Sequence, residues 1–336
     1  MKKWTIDTPI TDYEHNDNGA GGKYKGQLVL RPSSIDSFIR CPYSFYKQQL
    51  LGEYGAPNSA SQVGTALHQV MEDTILAKLA GTPLTVDDMQ RAGMKAWRHY
   101  NDKADIVYHG DQTYQSMADD LYAGVLGLEQ ALTCINATAA EGRYSAKITD
   151  HPIFGAISGS LDVEEGADVV DLKFTGKKKS KPDDYILQQS TYVWLKQIGG
   201  QDAKNFSILN IIRPTKAKKE KHAKDTAKNE ALKAQGKEYV EVGELVADWH
   251  IMEGEPNVDY VKHWVNIILN KTEQYANFEG TYEEIHDFAE LLFQGTSPSN
   301  SFLCNSTWCS HYQSCPHVEA LRDAEKFEEV ELFGAK

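Results

Sequence analysis

Asp162, Asp171 and Lys173 are residues whose types and spacing suit chemistry on a phosphate. The segment Ser160-Leu161-Asp162-Val163-Glu164-Glu165-Gly166-Ala167-Asp168-Val169-Val170-Asp171-Leu172-Lys173 reads as two short strands around a polar, glycine-containing turn at Glu165–Asp168. Such a turn sets Asp162 opposite Asp171, and directly opposed side chains have Cβ atoms roughly 5 Å apart. Two carboxylates that close repel unless a cation lies between them, and a hard divalent ion prefers oxygen ligands. Lys173 follows Asp171 by two residues, so a strand presents both on one face. This set suits hydrolysis of a phosphodiester: the ion offsets phosphate charge and activates water, and the ammonium holds the water or the developing oxyanion. An ordinary solvated hairpin with a cross-strand ion pair worth about 0–1 kcal/mol would carry the same residues, so the rest of the chain has to decide.

The elements around the hairpin alternate between helix and strand. Residues 1–26 read as a polar, loosely ordered lead-in, and Leu28–Leu30 as a short apolar run. Ser33 and Asp36 resemble a capping box that opens a helix carrying Ile35, Phe38 and Ile39 up to Cys41-Pro42. A second short helix holds Phe45, Tyr46, Leu50 and Leu51. A longer helix runs from Val63 to about Leu79 on the stripe Leu67, Val70, Met71, Ile75, with His68 and Glu72 one turn apart beside it. Residues 80–143 read as a helical insertion and 145–174 as strands. A helix through Leu187, Val193 and Leu195 carries Gln188 and Tyr192, and Ser207–Ile212 is apolar enough for a central strand. Residues 215–237, rich in Lys and Ala, predict an exposed helix or mobile insertion, and 257–276 an amphipathic helix. Residues 239–252 leave strand and helix open.

Composition bounds the possibilities. The 336 residues are 41% hydrophobic and 25% charged, ordinary for a globular chain. No apolar run reaches transmembrane length, and the N-terminus has no apolar signal region, so a cytoplasmic location is expected. With 35 basic and 48 acidic residues the net charge is −13, which argues against a whole-surface nucleic-acid binder but leaves local phosphate contacts open. Lysines are in fact concentrated, at Lys173, Lys177, Lys178, Lys179 and Lys181, and again through residues 213–237. A lysine run is commonly a solvated face; Lys177, Lys178, Lys179 and Lys181 are candidates for nucleic-acid contact because they follow the hairpin directly. Five cysteines in such a chain do not suggest disulfides. Cys304, Cys309 and Cys315 are packed together, Cys41 and Cys134 stand alone, and Cys134 reads as a small core residue.

Taken in order, Cys41, the helix Gly64-Thr65-Ala66-Leu67-His68-Gln69-Val70-Met71-Glu72, Asp162, Asp171-Leu172-Lys173, Gln188-Gln189-Ser190-Thr191-Tyr192 and the three C-terminal cysteines form a series. The series resembles the RecB-like branch of the PD-(D/E)XK nuclease superfamily, and more narrowly the iron–sulfur-containing branch shared by CRISPR adaptation nucleases, AddB-type helicase–nucleases and related phage exonucleases. Each motif alone is weak; the resemblance spans residues 33–316.

The resemblance implies an α/β fold with a central mixed sheet flanked by helices. It implies catalytic roles for Asp162, Asp171, Lys173, Gln188 and Tyr192, and a Mg2+ or Mn2+ site at His68, Asp162, Asp171 and the backbone carbonyl of Leu172. Taken alone, His68 would more often be an interior histidine and Tyr192 core packing; Glu72 would be an exposed neighbour or would orient His68. The cysteines Cys41, Cys304, Cys309 and Cys315 would hold a [4Fe–4S] cluster joining the N- and C-terminal segments. Four residues instead of two separate Cys304 from Cys309, a departure from the branch, and zinc with His311 or His317 as substitute ligand is the alternative.

The expected organisation is a polar lead-in (1–26) and one nuclease domain (27–336), with insertions at 80–143 and 215–237 and the cysteine segment at 301–317. The expected function is metal-dependent DNA hydrolysis by an exonuclease acting on single strands or accessible ends, in phage or mobile-element recombination, replication or repair. The alternatives are an end-binding subunit of a larger helicase or CRISPR-adaptation complex, and an RNA-directed hydrolase. Expected partners are DNA and a helicase, recombinase or single-strand-binding protein, with no membrane.

Overall fold

A computed structural model describes residues 2–10, 23–103, 105–176, 180–294, 309–312, 315–316 and 318–319. Among them, eight strands form one mixed sheet: β1 (Thr8–Pro9), β2 (Lys23–Tyr24), β3 (Gln27–Leu30), β4 (Ala139–Lys147), β5 (Phe154–Glu165), β6 (Asp168–Thr175), β7 (Phe206–Ile212) and β8 (Asp248–Gly254). The order is β1-β4-β5-β6-β7-β8. The β4–β5, β5–β6 and β7–β8 pairs are antiparallel, whereas β6–β7 and β3–β5 are parallel. Strand β7 is interior, as its apolar run requires.

Helices cover both faces. On one side α3 (Ser59–Leu79), α4 (Val86–Lys103) and α5 (Tyr114–Leu132) pack Leu67, Val70, Met71, Trp97 and Leu121 against Val163, Val170, Leu172, Leu209 and Ile211. On the other, α1 (Pro32–Arg40), the short α2 (Pro42–Phe45) with its π-helical continuation Tyr46–Leu50, α6 (Ile186–Ile198) and α8 (Val258–Ala276) enclose a second core, joined by α9 (Tyr282–Leu292). The remaining helix, α7 (Lys216–Ala234), buries no residue. None of these helices is long and apolar enough to cross a membrane.

Three local expectations need correction. Helix α1 begins at Pro32 with Arg31 as its N-cap, so Ser33 lies inside the helix; a proline whose φ is already helical starts it two residues earlier. The N-terminal segment is tied down where it is described: β1 extends the sheet beside β4, and Lys2 exchanges two hydrogen bonds with Asn270. Residues 11–22 lie outside the described residues. The helical reading of 80–143 runs too far, because α5 ends at Leu132 and β4 starts at Ala139, paired along its length with β5.

The feature that positions the site is a fork in the sheet. Strand β4 takes one edge of β5; the other edge pairs first with β3, at Phe154–Ile157, and then with β6, at Val163–Glu165. Between Ile157 and Val163 that edge has no ladder partner among the described residues. Side-chain alternation slips at the same place: Leu161 packs with Tyr192 and Val193 of α6, yet Val163, two residues on, packs in the α3–α5 core. Period-two alternation would place both on one face, so the strand carries an irregularity at Asp162.

Candidate active site

The hairpin closes through Gly166, whose φ of +63° suits the tight connection between Glu165 and Asp168. The pairs Val163↔Val170 and Glu164↔Val169 place Asp162 and Asp171 at opposed register positions, one step beyond the last ladder pair. Instead of continuing the ladder, Asp162 turns its carboxylate onto the neighbouring strand and accepts the Leu172 N–H at 2.7 Å. The fork thus replaces a backbone acceptor with a charged side chain, leaving its other oxygen to face the site.

Asp171 and Lys173 lie on the face opposite Val170 and Leu172, toward α6. The Lys173 Nζ contacts Asp171 Oδ2 at 2.5 Å and lies 5.6 Å from the Tyr185 ring. From α3, His68 reaches the fork and sets Nδ1 3.2 Å from Asp162 Oδ1. From α6, Gln188 Nε2 donates to the Tyr192 hydroxyl at 2.8 Å, and the Tyr192 ring lies over Gly159 of β5. A Cβ at Gly159 would come within 2.7 Å of that ring, so the approach needs glycine. Helices from both layers therefore reach one point, because the sheet is open there.

Side-chain exposure falls from 30% at His68 to 12% at Asp162 and 2% at Asp171, so the site opens on the His68 side. Burial raises the Asp171 pKa, Lys173 opposes this, and the neighbouring Asp162 raises it further; the net shift is upward. Burial also works against ionised Asp162, but His68, Lys173 and the Leu172 N–H outweigh it and the net shift is downward. At Lys173 burial is outweighed by the two aspartates, which raise its pKa, and at His68 it is outweighed chiefly by Asp162. Tyr192 is raised by burial and then by the two aspartates, so it stays a neutral phenol.

Sequence reasoning missed Glu141. The pairs Ala140↔Val163 and Gly142↔Leu161 put it opposite Asp162 on β4, in the left-handed region with φ +51°. Burial, then Asp162 and Glu72, raise its pKa to about 7. Its only signal in the sequence is a Glu-Gly pair in a stretch read as helix. Glu72 does not orient His68: its carboxylate accepts from Gln69 Nε2, and the His68 imidazole contacts Asp162. Lys181 is exposed at the start of the turn before α6, where its N–H donates to Asp184. Lys177, Lys178 and Lys179 lie outside the described residues.

Cys41, Cys309 and Cys315 come together although two lie near one end of the chain and one near the other. Burial first, then the charges of Cys315 and Cys309, raise the Cys41 thiol pKa. The same holds for Cys309 with Cys315. All three are free thiols. Cys304 and His317 lie outside the described residues, and Cys134 is exposed, not in the core.

Among the described residues, no three His, Cys, Asp or Glu side chains form a group able to hold a metal as they stand. Both aspartates are engaged by the chain's own cations, His68 and Lys173. The donor chemistry nonetheless fits a magnesium-type ion, which binds through one or two carboxylates and takes its remaining ligands from water and substrate phosphate. Asp171 Oδ2, buried and with no aligned hydrogen-bond donor beyond its ionic contact, is an oxygen suited to such an ion. For the thiols, three soft ligands drawn together fit a cluster or zinc by chemistry alone.

No curated protein matches the chain. A family model does match, over residues 30–316, and its members are nucleases that use divalent metals such as Mg2+ or Mn2+. With that match covering the fork, the acid pair and the helices that reach them, the chain belongs to the PD-(D/E)XK nuclease superfamily.

Proposed function

We propose that this protein is a metal-dependent deoxyribonuclease, acting as an exonuclease on single-stranded or end-accessible DNA. The observation that carries the reading is the meeting of Asp162, Asp171 and Lys173 at the fork, with His68 and the Gln188–Tyr192 pair brought in from opposite layers. Asp162, Asp171, His68 and the Leu172 carbonyl would hold Mg2+ or Mn2+. Such an ion, when bound, supplies Lewis acidity at the scissile phosphate and at the attacking water.

The chain's own groups do the rest. Lys173 places an ammonium beside the acids, where it releases Asp171 and meets a phosphate oxygen or the developing negative charge. Gln188 donates to the Tyr192 oxygen, which leaves the phenol O–H free to point at an incoming phosphate. Because burial keeps Tyr192 protonated, it is a hydrogen-bond donor across the working pH range. His68 orients Asp162 through their 3.2 Å contact.

Preference for ends, and a place in phage or mobile-element recombination, rest on the resemblance to RecB-like enzymes. End-labelled linear and circular single strands, incubated with purified protein with and without Mn2+, test it. Loss of label from linear strands with circles left intact supports an exonuclease. Cutting of circles overturns the end preference, and no cutting of either favours an end-binding subunit of a larger complex.

The cysteines carry a separate part of the proposal: Cys41, Cys309 and Cys315, with Cys304, hold a [4Fe–4S] cluster that staples the chain's distant segments. A brown protein with iron and sulfide in cluster stoichiometry is the expected result. A colourless protein with one zinc per chain contradicts it.

A further inference from the structure

Glu141 stands where two strands change face together. On β4, Ala140 packs into the α3–α5 core, whereas Tyr144 and Ala146 pack toward α6 and α8. Gly142 already lies on the α6 side, since a Cβ there would meet the Glu164 carboxylate that Lys196 of α6 holds. Period-two alternation would keep Ala140, Gly142, Tyr144 and Ala146 on one face, so the switch falls at Glu141. On β5 the same switch falls at Asp162, and the flanking pairs Ala140↔Val163 and Gly142↔Leu161 set the two residues opposite each other. Glu141 makes its turn in the left-handed region, φ +51°, although the glycine beside it does not adopt a positive φ. A glutamate is strained there, and strain of this kind gathers at functional sites.

The surroundings show what the residue faces. Burial first, then Asp162 and Glu72, raise its pKa to about 7, and His68 and Arg143 offset this only in part. Glu141 therefore stands on the His68 side of the acid pair, where exposure is greatest. It is half-buried, and among the described residues no ion pair or hydrogen bond engages its carboxylate. A magnesium-type ion takes one or two carboxylates and keeps several of its waters. Asp171 lies at the closed end of the site and Asp162 spends one oxygen on the Leu172 N–H, so the room for water is on the His68 side. A carboxylate without a partner is an acceptor for such water.

We propose that Glu141 is a positioning residue for the divalent ion: its carboxylate accepts hydrogen bonds from water the ion keeps, and so tightens ion binding at Asp162 and Asp171. The inference rests on the nuclease reading for the ion, and it adds a residue from β4 to those of the hairpin and of α3 and α6. A purely structural Glu141 would shape the turn and leave ion affinity unchanged.

The test is calorimetric titration of Mn2+ into the full chain as wild-type, Glu141→Gln, Glu141→Gly and Glu72→Gln, buffered well above the pKa of Glu141. Partners that act on a metal through its ligands contribute about 10–100-fold to affinity, so Glu141→Gln is expected to bind Mn2+ more weakly by about that factor. Glycine suits φ +51°, so Glu141→Gly should lose the same affinity while its thermal midpoint without metal holds or rises. Glu72 accepts from Gln69, and Glu72→Gln, which removes the same charge nearby, should lose much less. In cleavage assays the Mn2+ concentration for half-maximal rate should rise by the same factor in Glu141→Gln. Equal affinity in wild-type and Glu141→Gln overturns the proposal, as does an equal loss in Glu72→Gln, which reduces the effect to net charge. Wild-type protein that binds no Mn2+ overturns the nuclease reading itself, a result distinct from equal binding by all four proteins.

Discussion

Asp171 shows how one residue can serve a site at the expense of the fold around it. It is 2% exposed, stands beside Asp162, and has its charge offset chiefly by Lys173 and more weakly by His68. Both burial and the second carboxylate act against its ionised form. Replacing it with the neutral isostere removes that repulsion while leaving Lys173 the Asp162 charge to face. We therefore expect Asp171→Asn to lose cleavage by about 10²–10³-fold or more while its thermal midpoint, without added metal, holds or rises. A midpoint several degrees lower would show that Asp171 is a structural acid. Lys173→Gln separates the two roles further: it should abolish cleavage and lower stability, since both buried aspartates then lose their ammonium.

At the scale of elements, α6 must hold Gln188 and Tyr192 against the fork, and a buried ion pair fixes its far end. Lys196, fully buried, places Nζ 2.7 Å from Glu164 of β5, and the same carboxylate accepts from the Tyr144 hydroxyl. Removing one partner of a buried pair costs about 3–5 kcal/mol because the other charge is left alone. Lys196→Met should therefore destabilise by that order in urea titrations, whereas Lys196→Met with Glu164→Leu should recover much of it. Equal losses for the single and double variants would mean the pair does not clamp the helix. The elements also show what a sequence exposes. The β5–β6 hairpin was legible, because a glycine in a polar cluster between apolar runs has few other uses, and α8 and the α3 stripe were legible from their periodicity. Strand β4 was not, because Ala139-Ala140-Glu141-Gly142-Arg143 has neither β-branched residues nor alternation, and its strand state comes from pairing with β5. For that reason Glu141 went unnoticed. The slip at Asp162 was equally hidden: it arises where β5 exchanges β3 for β6, a long-range event with no local signature.

Across the whole molecule, a buried histidine at the junction of the N-terminal segment, β5 and α8 should contribute to the pH dependence of stability. His151, at the turn before β5, accepts the Ile153 and Phe154 N–H groups at Nδ1 and meets the Leu269 carbonyl of α8 at 2.9 Å through Nε2. Its ring also packs against Trp4 of the N-terminal segment. Burial lowers its pKa below the ordinary histidine value. A depressed folded pKa means that the unfolded chain binds more protons in acid, so this contribution is present above about pH 6.5 and is lost as pH falls below it. In chemical unfolding, wild-type protein should lose stability relative to His151→Gln as pH falls from about 7.5 to 5.5, because the raised Glu141 and His68 titrate the other way in both proteins and cancel in the comparison. An equal drop in both would place the titrating group elsewhere. The same long reach characterises the cysteines, which bring Cys41 toward Cys309 and Cys315. The acid pair at the fork is nevertheless the point on which the molecule's chemistry turns. Calorimetric titration of Mn2+ into wild-type protein and into Asp162→Asn with Asp171→Asn tests it most directly. Saturable binding at that site by the wild-type, absent from the double variant with its fold intact, is the predicted result. Identical titrations for the two proteins would contradict it.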